Sequence, residues 1–147
     1  MTLDDLIFSV NRLHYKGDEG EAVKQPEMKA ILQDHHLWLQ SDGKQGKRVN
    51  LHGASLVGAS LQGADLEYAN LRCVNLWNAD LRDANLRCVN LEGANLPHAK
   101  FTTNFKKVRW FDYAIFSEDQ IPWVVLHPSY PKWAHTLRWV KAKADAA

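Results

Sequence analysis

A chain of 147 residues with a formal net charge of +1 is sized for one domain with a sizeable apolar core. It has no global field that would attract a polyanion or imitate one. Two cysteines, Cys73 and Cys88, are too few for a secreted disulfide framework and show no zinc-ligand spacing. The start MTLDDLIFSV lacks the basic segment and long apolar run of a signal peptide, and the apolar stretch IPWVVL is far too short to span a bilayer. The expected localisation is cytoplasmic.

In chain order, TLDDLIFSVNRLH combines Thr2 and Asp5 with apolar Leu3, Leu6, Ile7 and Val10, which predicts a short helix. YKGDEGEAV reads as a loop. PEMKAILQDHHLWLQS opens on Pro26 at a helix start and sets Met28, Ile31, Leu32, His35 and Leu39 on one face. DGKQGKR then turns the chain into a segment of a different period, beginning at Val49.

From Leu51 an apolar centre recurs every fifth position, through Leu56, Leu61, Leu66, Leu71 and on to Leu96 and Phe101. Two residues before each stands Ala or Val, with a small polar residue between them until Lys100. A helix at about 100° per residue would wind these leucines around its axis. A straight strand would throw them alternately to opposite faces. The conflict disappears if the chain turns once per repeat, with Ala and Leu inward and the fifth residue at a corner. Gly53, Gly58, Gly63 and Gly93 suit such corners. The fold class expected is an all-β solenoid, stable only as a stack of coils.

The units ADLEY, ANLRC, NADLRD and GANLPH resemble the pentapeptide repeat family, whose unit is written A-(D/N)-L-X-X, over about residues 49–117. The resemblance implies a right-handed quadrilateral β-helix with twenty residues per coil, here about 3.5 coils, with helical caps at both ends. The organisation is then a cap over 1–48, the β-helix over 49–117 and a C-terminal turn-and-helix cap over 118–147, in one folded unit. After Phe101 the pattern breaks: Phe105 comes one residue early and the old phase would place Lys106 at a centre. A local irregularity is expected near 102–110, before Ala114 and Phe116 restore the phase.

At the C-terminal end, two proline-marked turns precede an expected helix from about 131, with Trp133, Leu137 and Val140 as its apolar stripe and Lys141 and Lys143 at its end. These aromatics read first as the cover of the last coil. Tyr130, Trp133 and Trp139 are also candidate contacts of a homodimer formed through this helix, because some pentapeptide repeat proteins pair through their C-terminal segments.

Stacking residues twenty apart sorts the outer faces into columns. Asn50, Asn70 and Asn90 form an expected amide ladder, and Arg72 falls beside Glu92 and Glu67 beside Arg87. Arg82 has no acidic column neighbour. Val57, Trp77 and Pro97 make an outward column, an apolar strip of the kind that marks an interface unless a flanking segment covers it. These three and Arg82 are the candidate partner contacts. A basic group, Lys100, Lys106, Lys107 and Arg109, interleaves with Phe105, Trp110 and Phe111. It reads as a solvated rim or as the contact for an acidic protein or nucleic acid.

No catalytic constellation is visible. GASLVG and GASLQG lack the last glycine of a nucleophile elbow, and GKQGKR has neither the spacing nor the Ser or Thr of a phosphate loop. His35 and His36 read as structural, and Asp65, Asp80 and Asp83 as solvated repeat positions. Cys73 and Cys88 sit on adjacent corners, too far apart for a disulfide. The chain is expected to be a non-enzyme without cofactor or metal, binding a protein partner through rigid faces, with neither membrane nor nucleic acid as its target. The alternative comes from the resemblance: some members of the family imitate duplex DNA, bind DNA gyrase and protect it from quinolones. Seven basic against six acidic residues over 49–117 and the short solenoid disfavour it.

Overall fold

The computed structural model describes residues 25–141. The helix expected over 2–14, the loop after it and Lys143 lie outside the described residues. Helix α1, Gln25–Gln40, buries Met28, Ile31 and His35, with Leu32 packed against the same core. The chain then doubles back, and the Lys47 amide bonds the Asp34 carbonyl at 3.3 Å.

From Asn50 the chain pairs with itself in parallel at twenty-residue intervals: Asn50 with Asn70, Ser55 with Asn75, Ser60 with Asp80, Asp65 with Asn85, and so on to Asp80 with Lys100. One rung shows the logic. The Leu51 amide donates to the Asn70 carbonyl at 2.9 Å, and the Asn70 amide donates to the Val49 carbonyl at 3.0 Å. The chain turns between rungs, where the Ala54 amide bonds the Leu51 carbonyl at 3.0 Å around a corner residue of positive φ, the requirement of a type II turn. Glycine fills only some corners. Tyr68, Cys73, Asn78, Asp83, Cys88, His98 and Tyr113 adopt the same left-handed conformation at φ 56–62°, a strain of about 1–2 kcal/mol each that the surrounding hydrogen bonds sustain.

The polar position of the repeat has a physical reason. The amide just after a leucine has no backbone partner in the neighbouring coil. Where Asn or Asp stands two residues before that amide its side chain accepts it, as after Leu51, Leu66, Leu71, Leu76, Leu81, Leu86 and Leu91. Asn70 accepts from Arg72 at 3.2 Å, Asn75 from Trp77 at 3.1 Å and Asn90 from Glu92 at 2.9 Å, the Asx-turn bond that these side chains favour. Every leucine centre from Leu51 to Leu96 is at most 2% exposed.

The irregularity expected near 102–110 is a 3₁₀ turn, Thr103–Lys107. There the Ala84 carbonyl, which by the pattern would accept a backbone amide, instead receives the side-chain Nδ2 of Asn104 at 2.9 Å; the same nitrogen reaches the Leu81 carbonyl at 2.9 Å. Pairing resumes at Asn90 with Trp110 and Asn95 with Ile115. Strand β1, Ile115–Ser117, and a 3₁₀ turn, Glu118–Gln120, come next. Gln120 repeats the device, its Nε2 donating to the Leu96 carbonyl at 2.6 Å and the Ala99 carbonyl at 2.8 Å. Phe105, Phe111 and Phe116 are fully buried and pack edge to face, filling the last coil.

The C-terminal helix expected from 131 does not form. After α2, Ile121–Val125, a single helical turn α3, Tyr130–Trp133, passes into a 3₁₀ turn and then strand β2, Arg138–Val140. This strand pairs in parallel with β1, Phe116 opposite Trp139. The open edge left by β1 offers unpaired backbone groups, and satisfying them outweighs a three-residue apolar stripe.

Candidate partner-binding faces

The twenty-residue register holds side chains in vertical files. Asn70 Nδ2 donates to Asn50 Oδ1 at 3.0 Å, Asn85 Nδ2 to Asp65 Oδ1 at 3.0 Å and Asn95 Nδ2 to Asn75 Oδ1 at 3.1 Å. The expected ladder therefore forms its first side-chain rung at Asn50–Asn70, while Asn90 joins by backbone pairing. Arg72 meets Glu92 at 2.9 Å and Arg87 meets Glu67 at 2.8 Å. Exposed pairs of this kind are worth about 0–1 kcal/mol each, and they leave their faces charge-balanced.

The apolar column is shorter than its sequence suggests. Val57 is 41% exposed and Trp77 half-buried, but Pro97 is buried. The 117–120 turn covers it: Ser117 Oγ accepts the His98 amide at 2.8 Å, and Gln120 bonds the carbonyls on either side of Pro97. The His98 ring stands edge-on to Trp77 at 5.2 Å. What faces outward is Val57 and the remaining surface of Trp77.

Arg82 is also not the unpartnered cation that its column implied. It donates Nε and Nη2 to the two carboxylate oxygens of Asp80 at 2.9 and 2.7 Å. The acid lies two residues back in its own repeat, where column sorting does not look. The Arg82 hydrogen bonds hold the Asp80 carboxyl at about 2.

Tyr130, Trp133 and Trp139 pack against the buried core, Trp139 tilted on Phe116 at 5.7 Å. In the basic group, Phe105 and Phe111 point inward, so the interleaving belongs to the last coil's filling. Lys100, Lys106, Lys107 and Arg109 remain exposed.

Among the described residues two buried histidines serve the stack. His35 accepts the Val49 amide on Nδ1 at 3.1 Å and donates Nε2 to the Glu67 carbonyl at 2.9 Å, tying α1 to both ends of the first coil. His127 accepts the Ser129 amide at 3.0 Å and donates to the Val108 carbonyl at 2.7 Å. Burial lowers both pKa values and keeps both rings neutral, as these bonds require. Sequence reasoning found His35 but missed Asn104, Gln120 and His127. A polar residue where a repeat breaks was the available signal for the two amides. Both cysteines are free thiols. Among the described residues there is no cluster of metal-ligating side chains, and no helix is long and apolar enough to cross a membrane.

The family model described as pentapeptide repeats matches eight copies over residues 47–76 and 69–102. No curated protein matches the chain. The matched copies fall on the segment whose backbone pairs at twenty-residue intervals, so residues 47–102 of the chain are similar to pentapeptide repeats.

Proposed function

We infer that this protein is a non-catalytic binding or scaffold module whose repeat segment winds as a right-handed, four-sided β-helix and presents flat faces to a protein partner. The observation that carries this reading is the register. Side chains twenty residues apart are bonded into files, so each face is a pre-organised surface that loses little conformational entropy on binding. The contact face is centred on Trp77 with Val57 beside it, since a large aromatic half-buried on a rigid support is the usual form of a hot spot.

The test is affinity capture from a lysate of the source organism by the immobilised protein and by Trp77→Glu, read by mass spectrometry. Capture of a defined protein by the wild type alone supports the reading; identical capture by both removes the Trp77 face. The family's gyrase-modulating activity gains no support from the charge-balanced Arg72–Glu92 and Arg87–Glu67 faces. A supercoiling assay in which the protein inhibits gyrase would reinstate it.

A further inference from the structure

A second face carries a feature that the repeat pattern does not account for. At the last coil, both the Arg109 amide, at 3.0 Å, and the Trp110 amide, at 3.4 Å, bond the single Val89 carbonyl. Two residues opposing one is a β-bulge, which re-aims a side chain. Arg109 stands level with Val89, a position where the repeats hold an inward Ala or Val, and the bulge turns it outward while Val108 takes the buried place. Its guanidinium lies 4.2 Å from the Trp110 ring centroid, a cation–π contact that orients it.

The bulge aims Arg109 at a cleft of about 310 Å³ that runs along the stack. The Asn70 and Asn90 amides and the half-buried Cys88 thiol lie along it, Tyr68 borders it, and Arg48 closes its other end. Among the described residues no carboxylate lines it, and neither Arg48 nor Arg109 forms an ion pair, whereas Arg72, Arg82 and Arg87 all do. On the repeat faces the arginines are neutralised except at the two ends of this cleft.

We propose that the cleft binds an extended acidic peptide segment of a partner protein, with two carboxylates four residues apart held by Arg48 and Arg109. The spacing selects this ligand. Arg48 and Arg109 flank files that run through Asn50, Asn70, Asn90 and Trp110, three strand spacings or about 14 Å. Four residues of extended chain span about 13–14 Å and bring both side chains to the same face. Guanidinium forks suit carboxylates, and the Asn amides between them can donate to and accept from a peptide backbone. A nucleic acid strand would set phosphates about 3.4 Å apart along a duplex axis, leaving several over neutral asparagines. The inference rests on the binding-module reading but uses a different face from Trp77.

The experiment is fluorescence anisotropy of the full chain with a labelled nine-residue Gly/Ser peptide carrying glutamates at positions 3 and 7. The comparison peptide carries them at 3 and 6, on opposite faces of an extended chain. The 3,7 peptide is expected to bind about tenfold more tightly than the 3,6 peptide. Arg48→Glu and Arg109→Glu should each weaken it about tenfold or more, while Trp77→Glu leaves it unchanged. In a Cys73→Ser background the bound peptide should slow the reaction of the Cys88 thiol with a disulfide reagent. Absence of binding at about millimolar protein, equal affinity for both peptides, indifference to the two arginine variants, or preference for a single-stranded oligonucleotide would each overturn the proposal. None of these results touches the Trp77-dependent capture of a partner, so the two readings fail separately.

Discussion

Gln120 offers a direct measure of how the last coil is closed. Its side chain is 2% exposed, donates to the Leu96 and Ala99 carbonyls and accepts the Ser117 amide at 2.9 Å. Replacing it with methionine keeps the volume and length but removes all three bonds. The Leu96 carbonyl retains the Ala99 amide at 2.9 Å; the Ala99 carbonyl and the Ser117 amide lose these partners. Each orphaned buried group costs about 1–3 kcal/mol, so Gln120→Met should destabilise by about 3 kcal/mol. For a domain of this size that lowers the unfolding midpoint by about 6–12 °C. Asn50→Ala removes the same kind of side-chain amide from an exposed position, where water replaces the bonds, and should cost about 1 kcal/mol or less. Thermal unfolding followed by circular dichroism reads both. A Gln120→Met shift no larger than that of Asn50→Ala would refute the idea that the side-chain amide substitutes for a missing rung.

Leu76, fully buried in the second coil, should lose about 2–5 kcal/mol on Leu76→Ala, measured by urea unfolding. The corners give a paired test. A Cβ at Gly58 meets nothing within 4 Å, while one at Gly93 meets Cys73 Sγ at 3.2 Å. Gly58→Ala should then cost only the left-handed strain, about 1–2 kcal/mol, and Gly93→Ala more, with the excess disappearing in a Cys73→Ala background. Stability should also depend on pH through His35 and His127. Both folded-state pKa values lie below the ordinary 6.5 because of burial, so the unfolded chain takes up protons first as the pH falls. Their contribution is fully present above about pH 6.5 and is lost on acidification through the folded-state values. Replacing both with glutamine should flatten the urea midpoint across that window; an unchanged slope would count against the neutral-ring assignment.

The repeat segment was legible because a single residue type, leucine, marks its period and the polar slot has the same duty wherever Asn or Asp fills it ahead of a free amide. The column pairs Arg72–Glu92 and Arg87–Glu67 came from that register alone. Pairing within one repeat did not, because Arg82 finds Asp80 along the strand rather than across the stack. The cover over Pro97 depends on Ser117 and Gln120 folding back, which no periodicity records. At the C-terminus, Trp133, Leu137 and Val140 matched a helical stripe, and the unpaired edge of β1 converted their segment into a turn and a strand. The bulge at Arg109 was equally silent: sequence placed an arginine near a broken repeat, and only the shared Val89 carbonyl shows which way it points.

Whether the rigid faces bind protein is tested most directly by titrating a captured partner calorimetrically against the wild type and Trp77→Ala, with unfolding curves confirming that both are folded. A contact centred on Trp77 predicts a loss of about 2 kcal/mol or more, roughly thirtyfold in affinity. An unchanged dissociation constant in a folded variant would contradict it.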